Sequence, residues 1–377
     1  MAISNSRIAR NESFLRNIYA KGPFEGHAFV CSPAGLSIPE HPDYDFTISD
    51  KPVKNWAPWV VDDYRRQLEM VEAVGDDAVP RAKIGTGTHI YAAAFGCEVH
   101  RFPDSNPCAM PLVSTAAEAD KLVIPDIWKV PVLYRIFELA RAVQDELGPD
   151  AFLGPPDMQS GFDTAALIWD KTEFLCAMLD DNDSDAVRRL TGKCSSLFKT
   201  FLTEFRKEFP NCSPCHCPTV WAPPEMGPWL SNDECGALST EMFEQFCLPE
   251  LVDLAETFGS LGMHCCASAE HQFESFKKIP NFYGFNRVCA QRGYAPLLDH
   301  FTGETAPVHV LAWVSEQEIE QLVRKAPAGT RFIFNSCGTS VEEARPWLAR
   351  MRDLSPSINL KRTVQSRYAR PNCSLFP

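Results

Sequence analysis

Four apolar runs in the second half of the chain, beginning near residues 262, 282, 308 and 331, recur every 20–26 residues with helix-like stretches between them. That interval holds one strand and one returning helix, which is the period of βα units feeding a parallel sheet. Two of the helices carry capping boxes: Ser315-x-x-Glu318 after the run Val308–Val314, and Ser340-x-x-Glu343 after Arg331–Cys337. Apolar spacing predicts further helices over residues 7–20, 60–74, 132–147, 186–209, 239–258 and 268–278. A dinucleotide fingerprint is missing, because Gly85-x-Gly87 lacks both the third glycine and the strand–loop–helix setting. The expected fold is therefore an α/β (β/α)8 barrel, a TIM barrel, rather than a doubly wound sheet. Residues 1–80, rich in Pro, Gly and aromatics beyond the first helix, are expected as an N-terminal helical and irregular extension packing on it. Residues 1–377 are expected to form one domain.

Charge and hydropathy narrow the classes of partner. The net charge is −13 and no run of Lys or Arg breaks it, so nucleic acid is not an expected partner. No stretch approaches the ~18 apolar residues that span a bilayer, and the N-terminus does not open like a secretory signal. A cytoplasmic location is expected, with no membrane contact. Fifteen cysteines, an odd number scattered along the chain, argue for buried thiols and some metal or redox use rather than a disulfide framework.

The densest chemistry falls at the ends of two predicted strands. In Gly262-Met263-His264-Cys265-Cys266 the alternation of a strand turns His264 and Cys266 to one side and Cys265 to the other. Cys337 ends a second run, Arg331–Cys337, with Gly338 immediately after. An imidazole and two thiols suit a borderline ion such as zinc, and three protein ligands leave one position open for catalysis. The other reading is three separate core residues, since free cysteine is among the most buried residue types. In a (β/α)8 barrel such strand ends, with Asn286, share one mouth. Cys212-x-x-Cys215-His216-Cys217 is a rival constellation, open to metal binding, to a redox pair, or to buried thiols. Trp221 and Trp229 near that mouth read as packing residues or as a platform for a flat ligand.

Several segments together resemble the uroporphyrinogen decarboxylase-like superfamily and, within it, the corrinoid-linked methyltransferases. They are Gly85-Thr86-Gly87 with Ala92–Glu98, Asp157–Ala166, Leu238–Phe246, His264-Cys265-Cys266, and Asn335–Thr339. The resemblance implies a single (β/α)8 barrel and a zinc site built by His264, Cys266 and Cys337. It also implies methyl transfer between cobalamin carried by a partner corrinoid protein and a small-molecule thiol, folate, or methoxylated or methylated substrate. Asp157, Asp233 and Glu234 are the candidate carboxylates, as displaceable fourth ligand or proton acceptor; loop capping by such residues is the alternative. Uroporphyrinogen decarboxylases carry an N-terminal arginine-rich stretch that holds substrate carboxylates, and nothing here matches it. A metal-independent decarboxylase of that kind is the alternative function, and a catalytically silent binding subunit is a third.

Overall fold

The computed structural model describes residues 2–32, 45–102, 107–288, 293–301, 303, 306–337 and 340–368. Among the described residues ten strands run in chain order: β1 (Ala28–Ser32), β2 (Ala82–Lys83), β3 (Val99–His100), β4 (Cys108–Ala109), β5 (Leu153–Gly154), β6 (Trp229–Ser231), β7 (Leu261–Cys265), β8 (Phe282–Arg287), β9 (Val308–Ala312) and β10 (Phe332–Cys337). Six of them form a parallel central sheet in the order β1-β10-β9-β8-β7-β6. β2 and β5 form a second parallel pair, and β3–β4 is an antiparallel hairpin. Parallel bridges Leu153–Cys212, Cys215–Trp229 and Gln159–Ser231 link the β5 side to β6.

The two faces of the central sheet bury different things. Leu230, Met263, Cys265, Phe285, Leu311, Phe332 and Phe334 lie in the large core under the helices. Trp229, Val308, Val310, Ile333 and Val30 form a second cluster with Leu15 and Tyr19 of the first helix. Burial on both faces is why these strands read as continuous apolar runs rather than alternating ones.

β1 lies in the region read as irregular from sequence, and side chains complete its outer edge. The Asp77 carboxylate accepts from Phe29 N (2.8 Å) and Asp76 from Cys31 N (2.7 Å), while Asp77 N donates to Phe29 O at 3.1 Å. Burial pushes Asp76 up to about 7. Five residues without strong alternation carry no strand signal of their own; these buried carboxylates and β10 hold them extended.

Two predicted helices are revised. The stretch 239–258 divides into Thr240–Phe246 and Leu248–Phe258, with Pro249 in the first turn of the second, where its missing N–H costs nothing. The stretch 268–278 reduces to the turns Glu270–Gln272 and Phe273–Phe276, and Pro280 stops any continuation. Both capping boxes form: Glu318 N meets Ser315 Oγ at 3.3 Å and Glu343 N meets Ser340 Oγ at 3.2 Å.

One helix N-terminus supports the site described below. In Gly161–Ile168, Ser160 Oγ accepts from Asp163 N (3.0 Å), and the buried Glu250 carboxylate accepts from Gly161 N (2.5 Å) and Phe162 N (3.0 Å). Three donors that a helix start leaves unpaired are thus satisfied. Burial pushes Glu250 up to about 7 despite those bonds. The folded state therefore keeps a proton that the unfolded chain releases near pH 4.5, so this carboxyl's stabilising contribution falls as pH rises through about 7. Relative to Glu250→Gln, the native chain should lose roughly 3 kcal/mol between pH 4.5 and pH 7, read by urea unfolding. Parallel pH profiles for the two proteins would contradict this.

Candidate metal centre

Strand register sets out the site in layers. Trp229, Gly262, Gly284 and Val308 lie in one row across β6 to β9, and the Trp229 indole fills the space above the two glycines. Ser231, His264, Asn286 and Val310 form the next row of the same face, two residues nearer the C-terminal ends. A fully buried apolar floor therefore lies directly under a polar row. Cys266 follows the last residue of β7, where the chain reaches solvent.

Within the polar row the tautomer of His264 is determined. Asn286 Nδ2 donates to Val310 O at 2.7 Å, which leaves its Oδ1 facing His264 Nδ1 at 2.5 Å. An amide oxygen only accepts, so Nδ1 carries a proton and Nε2 is the nitrogen free to ligate. Cys266 Sγ lies 2.8 Å from that Nε2. Burial works against charge on His264, but the facing Cys217 and Cys266 sulfurs outweigh it and push its pKa up to about 11. Asn286→Ala should weaken metal binding by about 10- to 100-fold in a chelator competition, as loss of an orienting partner does elsewhere. Unchanged affinity would remove Asn286 from this role.

Asp233 reaches the same point from the loop after β6. The buried Asp163 carboxylate accepts from Asp233 N (2.6 Å) and Glu234 N (3.2 Å), so the Gly161–Ile168 helix anchors the loop. Asp233 Oδ1 in turn accepts from Cys266 N at 2.5 Å. Burial raises the pKa of both Asp163 and Asp233. One donor atom each from Asp233, His264 and Cys266 lies within 4.8 Å of the others.

Of the residues singled out from sequence, His264, Cys266 and Asp233 come together. Cys337 ends β10 opposite Ser32, and its side chain lies outside the described residues. Asp157 faces elsewhere: its carboxylate takes Gln159 Nε2 at 2.5 Å and stands 3.5 Å from His216 Nε2. Glu234 is ion-paired with Lys171.

The Cys212–Cys217 segment does not gather around one centre. Cys212 Sγ turns to Ser213 O and Cys215 Sγ to Pro218 O. His216 Nδ1 donates to Trp229 O (3.0 Å) and its Nε2 meets Ser231 Oγ (3.2 Å). Burial pushes His216 down to about 4, with Asp157 only partly opposing, so the ring is neutral. Cys217 alone joins the site, its Sγ 3.5 Å from His264 Nδ1 and 3.9 Å from Nε2. Sequence reasoning also passed over Lys83 at the end of β2. It reaches solvent and lies within electrostatic range of Arg81, Cys217 and Asp157.

The donors fit a borderline divalent ion. Tetrahedral zinc, with bonds of about 2.3 Å to sulfur and about 2.0 Å to nitrogen, separates a bound N and S by about 3.6 Å. His264 Nε2 stands 2.8 Å from Cys266 Sγ, so seating an ion between these two donors asks for a shift of under an ångström.

The fold is shared with a methyltransferase from Methanosarcina mazei, at a TM-score of 0.57 over 91% of this chain and 98% of that one, with 13% sequence identity. No protein-family model matches the chain, and no curated protein matches it in sequence. Among the described residues no helix is long and apolar enough to cross a membrane.

Proposed function

We propose that this protein is a zinc-dependent methyltransferase, moving a methyl group between cobalamin on a corrinoid protein and a small-molecule thiol, folate, or methoxylated or methylated substrate. The observation that carries the reading is the His264–Cys266–Asp233 donor cluster beyond the end of β7, with His264 Nε2 presented by Asn286. A fold shared with a methyltransferase supports it. In this reading the parallel strands close into a (β/α)8 barrel with the cluster at its mouth, and Cys337 supplies the third metal ligand. The protein would act in the cytoplasm.

Zinc, when bound, supplies a Lewis acid that holds a thiol as its thiolate or polarises a methoxy oxygen. The chain's own residues do the rest. Asn286 keeps Nδ1 protonated so that His264 ligates through Nε2. Asp233 holds the backbone of Cys266 in place, and its second oxygen can take a proton from an incoming substrate. Asp157 holds the Gln159 side chain in position. Lys83 offers a positive charge to a substrate's anionic part. Trp313, exposed just past β9 with φ at 57°, offers an apolar plane to a flat macrocycle at the same mouth.

The test is turnover of methylcobalamin by zinc-loaded protein with a panel of small thiols, and of methoxylated or methylated donors with reduced cobalamin. Thiol-dependent loss of the carbon–cobalt bond with formation of a thioether, or the reverse transfer, supports the assignment. No transfer in either direction across the panel counts against it.

One observation favours a second reading. Cys266 and Asn286 bind opposite nitrogens of His264, at 2.8 Å and 2.5 Å, the layout of a thiol nucleophile, its base and an orienting group. In that case Cys266 would react as a metal-free thiolate, and rapid alkylation by iodoacetamide that zinc does not block would reveal it.

A further inference from the structure

We propose that the cavity between the segment entering β2 and the Ala57–Val74 helix is a second small-molecule site, which takes an apolar monocarboxylate at the guanidinium of Arg81. β1 is the edge strand of the central sheet and β2 belongs to a separate pair, so side chains rather than a ladder fill the join between them. They leave a space of about 390 Å³, within the range of small-molecule pockets. Leu15, Val30, Met70, Val79 and Ile333 supply apolar walls. None of the lining residues belongs to the Asp233–His264–Cys266 cluster, so the site is separate from the candidate metal centre.

Two donors on the lining lack acceptors. Arg81, 2% exposed, gives its Nη1 to Ser213 Oγ (3.1 Å), Cys215 O (2.6 Å) and Val220 O (3.0 Å), which fixes the guanidinium plane. Its Nη2 has no hydrogen-bond partner, and no carboxylate is ion-paired with Arg81 among the described residues. Trp221, 3% exposed, leaves its Nε1 without a partner as well. The three carboxylates on the lining are engaged elsewhere. Asp76 accepts from Cys31 N (2.7 Å), Asp77 from Phe29 N (2.8 Å) and Arg352 Nη2 (2.6 Å), and Asp63 from Gln67 Nε2 (2.7 Å). A buried cation with only neutral partners is costly, and an anion brought beside it removes that cost. A carboxylate matches the planar guanidinium and can also accept from an indole N–H. The apolar walls suit an aliphatic body behind that single charged head.

The experiment is isothermal titration of the full chain with sodium octanoate and, separately, with 1-octanol, which has the same chain length and no charge. Octanoate should bind at one per chain and about tenfold or more tighter than 1-octanol, the worth of a charge-assisted hydrogen bond. Met70→Trp, which fills the cavity and leaves Arg81 in place, should abolish binding. Arg81→Met should reduce octanoate to the affinity of 1-octanol. If Arg81→Met does not fold, the comparison of the two ligands on the wild type and the Met70→Trp result still decide. Octanoate affinity should be the same before and after treatment with EDTA, so the inference stands or falls apart from the zinc-dependent reading. No octanoate binding by folded wild type overturns the site, and so does undiminished binding in Met70→Trp. Equal affinity for octanoate and 1-octanol overturns the role of Arg81. Loss of binding after EDTA would place octanoate on the metal and overturn the separate site.

Discussion

Cys266→Ser is expected to release bound zinc and to lower methyl transfer by more than about 100-fold, since loss of mere orienting partners already costs 10- to 100-fold. The expectation follows from where Cys266 sits. It lies past the end of β7, exposed, with its sulfur 2.8 Å from His264 Nε2. Its structural contribution comes through its backbone N–H, which donates to Asp233 and survives the substitution. Serine keeps the shape but offers an alkoxide-forming oxygen in place of a thiolate, a poor donor to zinc at neutral pH. Zinc content and turnover should collapse together while the urea midpoint stays within the range of a surface substitution. Full turnover in a zinc-free Cys266→Ser protein would contradict the assignment of Cys266.

The second large effect concerns the floor beneath His264. A Cβ at Gly284 would lie 2.0 Å from Trp229 Cζ3, and one at Gly262 would lie 2.6 Å from Trp229 Cδ2. Trp229 is fully buried, so the two glycines make room for an indole that a side chain would displace. Gly284→Val should cost about 3 kcal/mol by overpacking. Trp229→Ala should cost roughly 3–5 kcal/mol by leaving a cavity. Combined, the valine fills part of the space the indole vacates, so the double variant should be more stable than the sum of the singles by about 1 kcal/mol or more. Additive urea-unfolding energies would show that Trp229 and Gly284 do not share this space. Trp229 therefore acts as packing under the site, one of the two roles open to it from sequence.

How much of this was legible in the sequence depends on the range of the forces involved. β7 to β10 are buried on both faces, so each is written as its own apolar run, and Ser315 and Ser340 mark the helices that follow through bonds only three residues long. β1 is different. Its edge is completed by Asp76 and Asp77, more than forty residues away, and no local pattern encodes that. The short β2 and β5 likewise depend on one another across the fold.

The site divides in the same way. The pairing of His264 with Cys266 follows from strand alternation, and the acidic character of the Asp233 loop could be read directly. The attachment of that loop to Asp163, seventy residues earlier, could not. Cys217 was visible only as part of a dense cysteine cluster. Its separation from Cys212 and Cys215 is set by the path of the segment past Trp229 and Ser231, which brings its sulfur alone to His264. Asn286 could be placed at a strand end, but its orienting role needed the Val310 carbonyl on the next strand.

The most direct test of the central claim is the metal content of the full chain, purified under reducing, anaerobic conditions and measured by elemental analysis. The expected result is about one zinc per chain, the stoichiometry of a single catalytic site. Well-folded protein that carries no zinc and takes up none from solution would contradict the account, and would leave Cys266 and His264 as a metal-free thiolate pair.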